Sequence, residues 1–250
     1  MTSPALRLQV CGRLIVDVGG SRRDHLLPGR QGRLLLAYLV VHRHDVVTRP
    51  VLIDALWPDD PPDAAEAAIY ALLSKCRTAL GNGLLSSRGA IRLELPPDSV
   101  IDLETARDAV HRGESALAQG DWPRAWGAAQ TSMFISRRAF LPEEDLPWVP
   151  EIRRELYDIQ LRSLETYTAA ALNLGETELA TAERAGRQLV AAAPYRESGH
   201  RLLMQALAAG GNPAEALVVY DQLRIMLRDE LGVVPSPQTR ALHASIINET

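Results

Sequence analysis

Lysine is nearly absent from this chain: Lys75 stands alone among 27 basic residues in a length of 250. That scarcity excludes a phosphate-cradling G-x-x-x-x-G-K loop. Gly29-x-x-Gly32 opens a helix but has no lysine beside it. Cysteine is almost as scarce, since Cys11 and Cys76 are too few for a disulfide framework and form no C-x-x-C pair. Both are expected reduced, with Cys76 in a core. No run approaches the roughly 18 consecutive apolar residues of a membrane span, and MTSPALRLQVCG lacks a basic segment followed by an apolar core. A cytoplasmic location and no membrane partner follow as expectations. G-x-S-x-G and H-E-x-x-H are missing as well, so no enzyme is indicated, no cofactor is implied and no metal is expected.

The weaker chemical signals have plain explanations. His42-x-His44 has no cysteine nearby and only Asp45 as a neighbouring carboxylate, which is the pattern of solvated loop histidines. Asp59-Asp60 and Glu143-Glu144 lie beside prolines, where adjacent acids are exposed loop charge. What is present is the composition of a soluble globular protein, 46% hydrophobic and 23% charged, long enough for one large domain or two ordinary ones. Net charge is −4, unevenly spread: residues 1–100 hold twelve Lys or Arg against ten Asp or Glu, and residues 101–250 hold fifteen against twenty-one. Only the N-terminal part is a candidate for polyanion contact.

Leu6, Leu8 and Val10, then Leu14, Val16 and Val18, alternate as strands of a small antiparallel sheet, with Gly19-Gly20 as a turn and His25-Leu26-Leu27 as a third strand. A helix runs from about Arg30 to His42 on Leu34, Leu35, Tyr38, Leu39 and Val41. Thr48 caps the next, with Pro50 in its first turn and Trp57 packing it onto the third. That third helix starts at Asp63, where Asp63 and Glu66 form a D-x-x-E capping signal. Ile69, Leu72, Leu73, Cys76 and Leu80 make its buried stripe. A Gly-Asn-Gly stop and the hairpin LLSSRGAIRLEL follow, and helix then hairpin is how a winged helix ends.

Beyond PPDSVID the period is helical throughout. Gly120 to Ala125, Gly175 to Ala180 and Gly211 to Ala216 share a Gly-x4-Ala pattern, the last two 36 residues apart, close to the period of about 34 residues of tetratricopeptide helix pairs. LPEEDLPWVP at 141–150 reads as an inter-helix loop before a long helix at Glu151–Asn173. Trp122, Trp126 and Trp148 are expected to pack the helical domain, with Tyr220 and Leu223 in its core. The expected fold is therefore an α+β winged helix-turn-helix in residues 1–98, followed by an all-α tetratricopeptide-like helical repeat domain in residues 99–250.

The order strand pair, LLPGRQGRLLLAYLVVHRHDVVTRPVLIDALWPDDPP, helix, SKCRTALG, hairpin, IDLETA resembles the N-terminal winged helix of the Streptomyces antibiotic regulatory protein family. PYRESGHRLLMQALAAGGNPAEALVVYDQLRIMLRDELGVVPSPQTRALHASI is similar to the end of that family's bacterial transcriptional activator domain, and the likeness covers about residues 6–248. The resemblance implies an OmpR-type winged helix on a helical domain, binding direct repeats near promoters as an activator, recruiting RNA polymerase holoenzyme and allowing a homodimer on those repeats. Ser74, Lys75 and Arg77 match the family's S-R-x-R segment. Where the family carries Asn, Arg, Gln or His toward DNA, this chain has Glu66, Ala67, Tyr70 and Leu72.

A promoter-binding activator regulating a biosynthetic gene cluster is the leading expectation. Tyr70, Ser74, Lys75, Arg77 and Thr78 would face the double-stranded DNA, Arg88 and Arg92 would serve on the wing, and Arg30, Arg33 and Arg49 at helix starts would hold phosphates. The alternative is a non-catalytic protein-interaction module with a degenerate winged helix, favoured by Glu66 and the negative net charge.

Overall fold

The computed structural model describes residues 6–81, 85–86 and 90–249. It divides into two compact units, Met1–Thr105 with Arg138–Leu156, and Ala106–Arg137 with Tyr157–Thr250. In the first, β1 (Leu6–Gln9) pairs antiparallel with β2 (Ile15–Val18) in the register Leu6↔Val18 and Leu8↔Val16, which puts Leu6, Leu8 and Val16 in the core. Gly19 and Gly20, both at positive φ, turn the chain into β3 (Ser21–Arg22), a shorter and earlier third strand than expected. His25-Leu26 is instead part of a 3-10 turn at Asp24–Leu26, which redirects the chain so that Leu27 is buried ahead of the first helix.

That helix, α1 (Gly29–Val41), buries Leu34 through Val40. Gly32 is required there by contact: a Cβ would stand 2.3 Å from Pro28 Cδ. α2 (Arg49–Leu56) starts after an extended Thr48 with Pro50 in the first turn, but the Thr48 side chain makes no capping bond. α3 (Ala65–Leu80) begins later than expected. Its N-cap is Ala64 and no side chain caps it, because the turn closed by Ala65 N–H on Pro62 C=O absorbs Asp63. Both α1 and α2 pack on α3. The hairpin follows as β4 (Leu85–Ser86) and β5 (Arg92–Leu93), tied to the loop before α2 by Ile91 N–H donating to Val47 C=O at 2.7 Å.

The sheet gains a fourth strand, β6 (Val100–Ile101), parallel to β1 at its free edge, giving the order β3-β2-β1-β6. The sheet is thus mixed rather than antiparallel, and two residues are too few to show alternation in sequence. Immediately after it, the buried Asp102 at the start of α4 (Asp102–Ala118) accepts from the amides of Val10 at 2.8 Å, Cys11 at 3.1 Å and Leu103 at 2.9 Å. Burial raises its pKa, against the pull of the Val10, Cys11 and Leu103 amides and the Arg138 guanidinium.

Residues 138–156 also serve the first unit. Gly12 N–H donates to Ala139 C=O at 3.0 Å, Phe140 is fully buried, and Trp148 donates from Nε1 to Ala55 C=O at 3.1 Å while meeting Tyr38 and Phe140 edge-on. Trp148 therefore packs this unit, a correction to its expected place among the helical repeats, because the loop carrying it folds back beside β1.

The second unit is helical. It takes the rest of α4, then α5 (Trp122–Ser136), most of α6 (Val149–Leu174), α7 (Leu179–Ala192), α8 (Glu197–Ala209), α9 (Pro213–Leu231) and α10 (Pro237–Glu249). Gly120, Gly175 and Gly211 hold positive φ at the turns, conformations an L side chain resists. Ala125 and Ala216 are fully buried, whereas Ala180 is exposed. A 3-10 turn at Glu176–Glu178 shifts the register, and Ala182 takes the close-packed place. Tyr220 and Leu223 are core residues, Tyr220 stacking on His243.

Candidate nucleic-acid interface

The period of α3 separates two faces. Ile69, Leu72, Leu73, Cys76, Ala79 and Leu80 are buried, while Glu66, Ala67, Tyr70, Ala71, Ser74, Lys75 and Thr78 stand exposed in two rows at i, i+4 spacing. Burial pushes the Cys76 thiol up to about 12, so it remains a protonated core group. The exposed rows begin with a carboxylate at Glu66 and end with an ammonium and hydroxyls at Ser74, Lys75 and Thr78. Cationic and hydrogen-bonding chemistry is thus concentrated in the last turns.

Two neighbours extend this face. Arg49, at the start of α2, lays its guanidinium over the Tyr70 ring at 4.6 Å from the centroid, so a half-exposed aromatic and a cation form one feature. Arg92 projects from β5 between buried Ile91 and Leu93 and is exposed. Arg77 has a different place: its Nε donates to Leu85 C=O at 3.1 Å, tying the end of α3 to β4. It positions the hairpin relative to the helix. Arg88 lies outside the described residues.

Arg30 and Arg33, on α1, join another arrangement. Arg30 donates from Nε to the Glu144 carboxylate at 2.8 Å, and Arg33, exposed one turn later, borders a cavity with residues 138–144. Arg43 forks onto Glu104, and His42 Nδ1 meets Asp45 at 2.9 Å. Sequence reading missed Asp102 and Arg153, the latter donating to the carbonyls of Phe140, Leu141 and Glu144. Asp102 had a signal, a carboxylate at a helix start. Arg153 had none.

A small sheet followed by stacked helices is also the architecture of a solved structure, Mycobacterium tuberculosis EmbR in complex with low affinity phosphopeptide. It superposes with a TM-score of 0.83 at 25% identity, covering 98% of this chain and 66% of that one. The family profile of the bacterial transcriptional activator domain matches residues 101–247. The chain belongs to that family, among transcriptional regulators of the Streptomyces antibiotic regulatory protein type. It is 34% identical to the regulatory protein AfsR of Streptomyces coelicolor over 218 residues, 87% of this chain and 22% of AfsR. To the transcriptional regulatory protein MoaR1 of Mycobacterium tuberculosis it is 26% identical over 256 residues, 99% of this chain and 81% of MoaR1. The chain thus spans about a quarter or less of the length of the AfsR proteins it matches.

Proposed function

We propose that this chain is a transcriptional activator that binds double-stranded promoter DNA through a winged helix in its first unit. The observation that carries the reading is the exposed face of α3, ending in Ser74, Lys75 and Thr78 and flanked by the Arg49–Tyr70 pair and by Arg92. A helix of about 16 residues presenting one polar face suits a major groove, and Arg92 on the adjoining hairpin suits the phosphate backbone. Arg77 acts in this reading by holding the hairpin where its cations can reach the duplex. The second unit, a tetratricopeptide-like stack of helix pairs, supplies the surface for RNA polymerase holoenzyme and for a second protomer on direct repeats. Activation then needs no bond-making chemistry, only contacts that raise polymerase occupancy at a promoter, here of a biosynthetic gene cluster. The protein would act in the cytoplasm, at the nucleoid.

The test is an electrophoretic mobility shift with the DNA upstream of the neighbouring operon, repeated across salt concentrations. A shifted complex whose affinity falls steeply with salt is expected, and Arg92→Ala should lower the salt slope by about 1. Equal binding of random duplex would remove the specificity. Absence of any shift at low salt would instead favour a protein-interaction module, the reading to which the exposed Glu66 on the same face gives its support.

A further inference from the structure

We infer that a cavity of about 660 Å³ within the first unit is a binding site for a small organic acid, one anionic head on an apolar body. Its walls come from segments remote in sequence: the turn after β1, the 3-10 turn before α1, α1 itself at Arg33 and Leu34, and residues 138–144. The volume lies within the range of about 300–1,000 Å³ usual for small-molecule sites. Leu14, Leu34, Leu141 and Pro142 supply the apolar lining.

The charge balance of the walls selects the head group. Two of the three carboxylates are already engaged, Glu144 by Arg30 at 2.8 Å and Asp24 by Arg22 at 2.7 Å. On the basic side, Arg138 faces Asp102 at 3.5 Å. Arg13 and Arg33 form no ion pair among the described residues; the Arg13 guanidinium acts on Asp24 only at longer range, beside the direct Arg22 pair, and Glu143 is exposed. Two guanidiniums among the lining residues, beside apolar side chains, suit a carboxylate or a phosphate, which a guanidinium binds through paired hydrogen bonds.

The far wall is built rather than slack. Leu141 holds φ +42°, the one positive φ of a non-glycine among the described residues. Arg153 fixes this conformation by donating to the carbonyls on either side, of Phe140 at 3.0 Å and Glu144 at 2.7 Å, and to that of Leu141 itself. Strained backbone kept in place by its surroundings is characteristic of ligand clamps. Occupancy would fasten residues 138–144 to the sheet turn and α1, raising the stability of the first unit by mass action.

The experiment uses the full chain and three probes: 2-naphthoate, its neutral counterpart 2-naphthamide, and inorganic phosphate. Calorimetry and amide chemical shifts report on binding, the latter at Leu14, Ala139 and Leu141. Saturable naphthoate binding that moves these amides is expected, with naphthamide at least about tenfold weaker. Arg13→Ala with Arg33→Ala should weaken naphthoate by about tenfold and leave naphthamide unchanged. Both arginines are exposed, so the fold survives their removal. Leu141→Gly, which keeps the positive φ and trims the wall, should weaken both aromatic probes. Naphthamide binding as tightly as naphthoate, phosphate binding as tightly as either, or naphthoate failing to saturate at millimolar concentration would each overturn the assignment.

Discussion

In the first unit, segments far apart in the chain meet: Val10 and Cys11 rest on Asp102, Gly12 on Ala139, and Ala55 on Trp148. In the second, chain neighbours are neighbours in space, α7 against α8 and α8 against α9. Their contacts run through small residues. Gly186 and Gly199 let α7 and α8 approach so closely that a Cβ would meet Leu203 at 3.2 Å or Leu189 at 3.0 Å. The first unit therefore depends on a few polar nodes that join remote strands and loops. The second depends on a repeated, local fit of helix on helix. A node is lost all at once, whereas a helical stack spreads the loss over many contacts.

The strongest way to break this contrast is Asp102→Ala. It leaves the buried amides of Val10, Cys11 and Leu103 without this acceptor, at about 3 kcal/mol, and chemical denaturation followed at Trp57 and Trp148 should show the first unit unfolding earlier. Less than about 1 kcal/mol would mean that the node is dispensable. Next comes Gly186→Val, which overpacks the α7–α8 contact and should cost about 2 kcal/mol in the second unit. Gly127→Ala sharpens the point, since a Cβ in the middle of α5 meets nothing within 4 Å. It should stabilise the second unit by about 0.5–1 kcal/mol, readable as a rise in Tm.

Acidification gives a smaller effect. His200 is buried in α8 with Nε2 on Pro194 C=O at 2.8 Å, and burial lowers its pKa below the usual imidazole value, while that carbonyl and Glu197 work the other way. The folded state holds the neutral ring, and the unfolded state takes up a proton below about pH 6.5. This contribution is intact above that pH and is lost as pH falls from there toward the folded value. A Tm that declines below pH 6.5, with a shallower decline in His200→Gln, is the expected result. The smallest structural effect belongs to Lys75→Ala on the exposed face of α3. Stability should stay within about 0.5 kcal/mol, while the salt slope of DNA binding drops by about 1.

Much of this was legible in the residues. The apolar period of α3 marked its buried side chains and put Tyr70, Ser74, Lys75 and Thr78 outside, but it put Arg77 there too, which is half-buried on Leu85 C=O; Pro50 marked the first turn of α2. The capping signal at Asp63 misled, because sequence spacing cannot register a competing turn at Pro62–Ala65. The two-residue strands carried too few positions to alternate. Charge misled as well. By compact unit, fifteen basic residues stand against seventeen acidic in the first and twelve against fourteen in the second, so each carries −2 and the contrast along the chain disappears. The cationic character of the α3 face is local, a matter of its last turns.

The sequence by itself determined the first two strands and the buried stripe of α3, since each follows from a periodicity written within a few turns of chain. Tertiary structure decided that residues 138–156 return to the first unit, that Arg77 ties a hairpin and that Arg30 is engaged by Glu144. It also decided that Arg13 and Arg33 border one cavity. Those outcomes depend on which distant surfaces meet, and no local pattern of side chains records them.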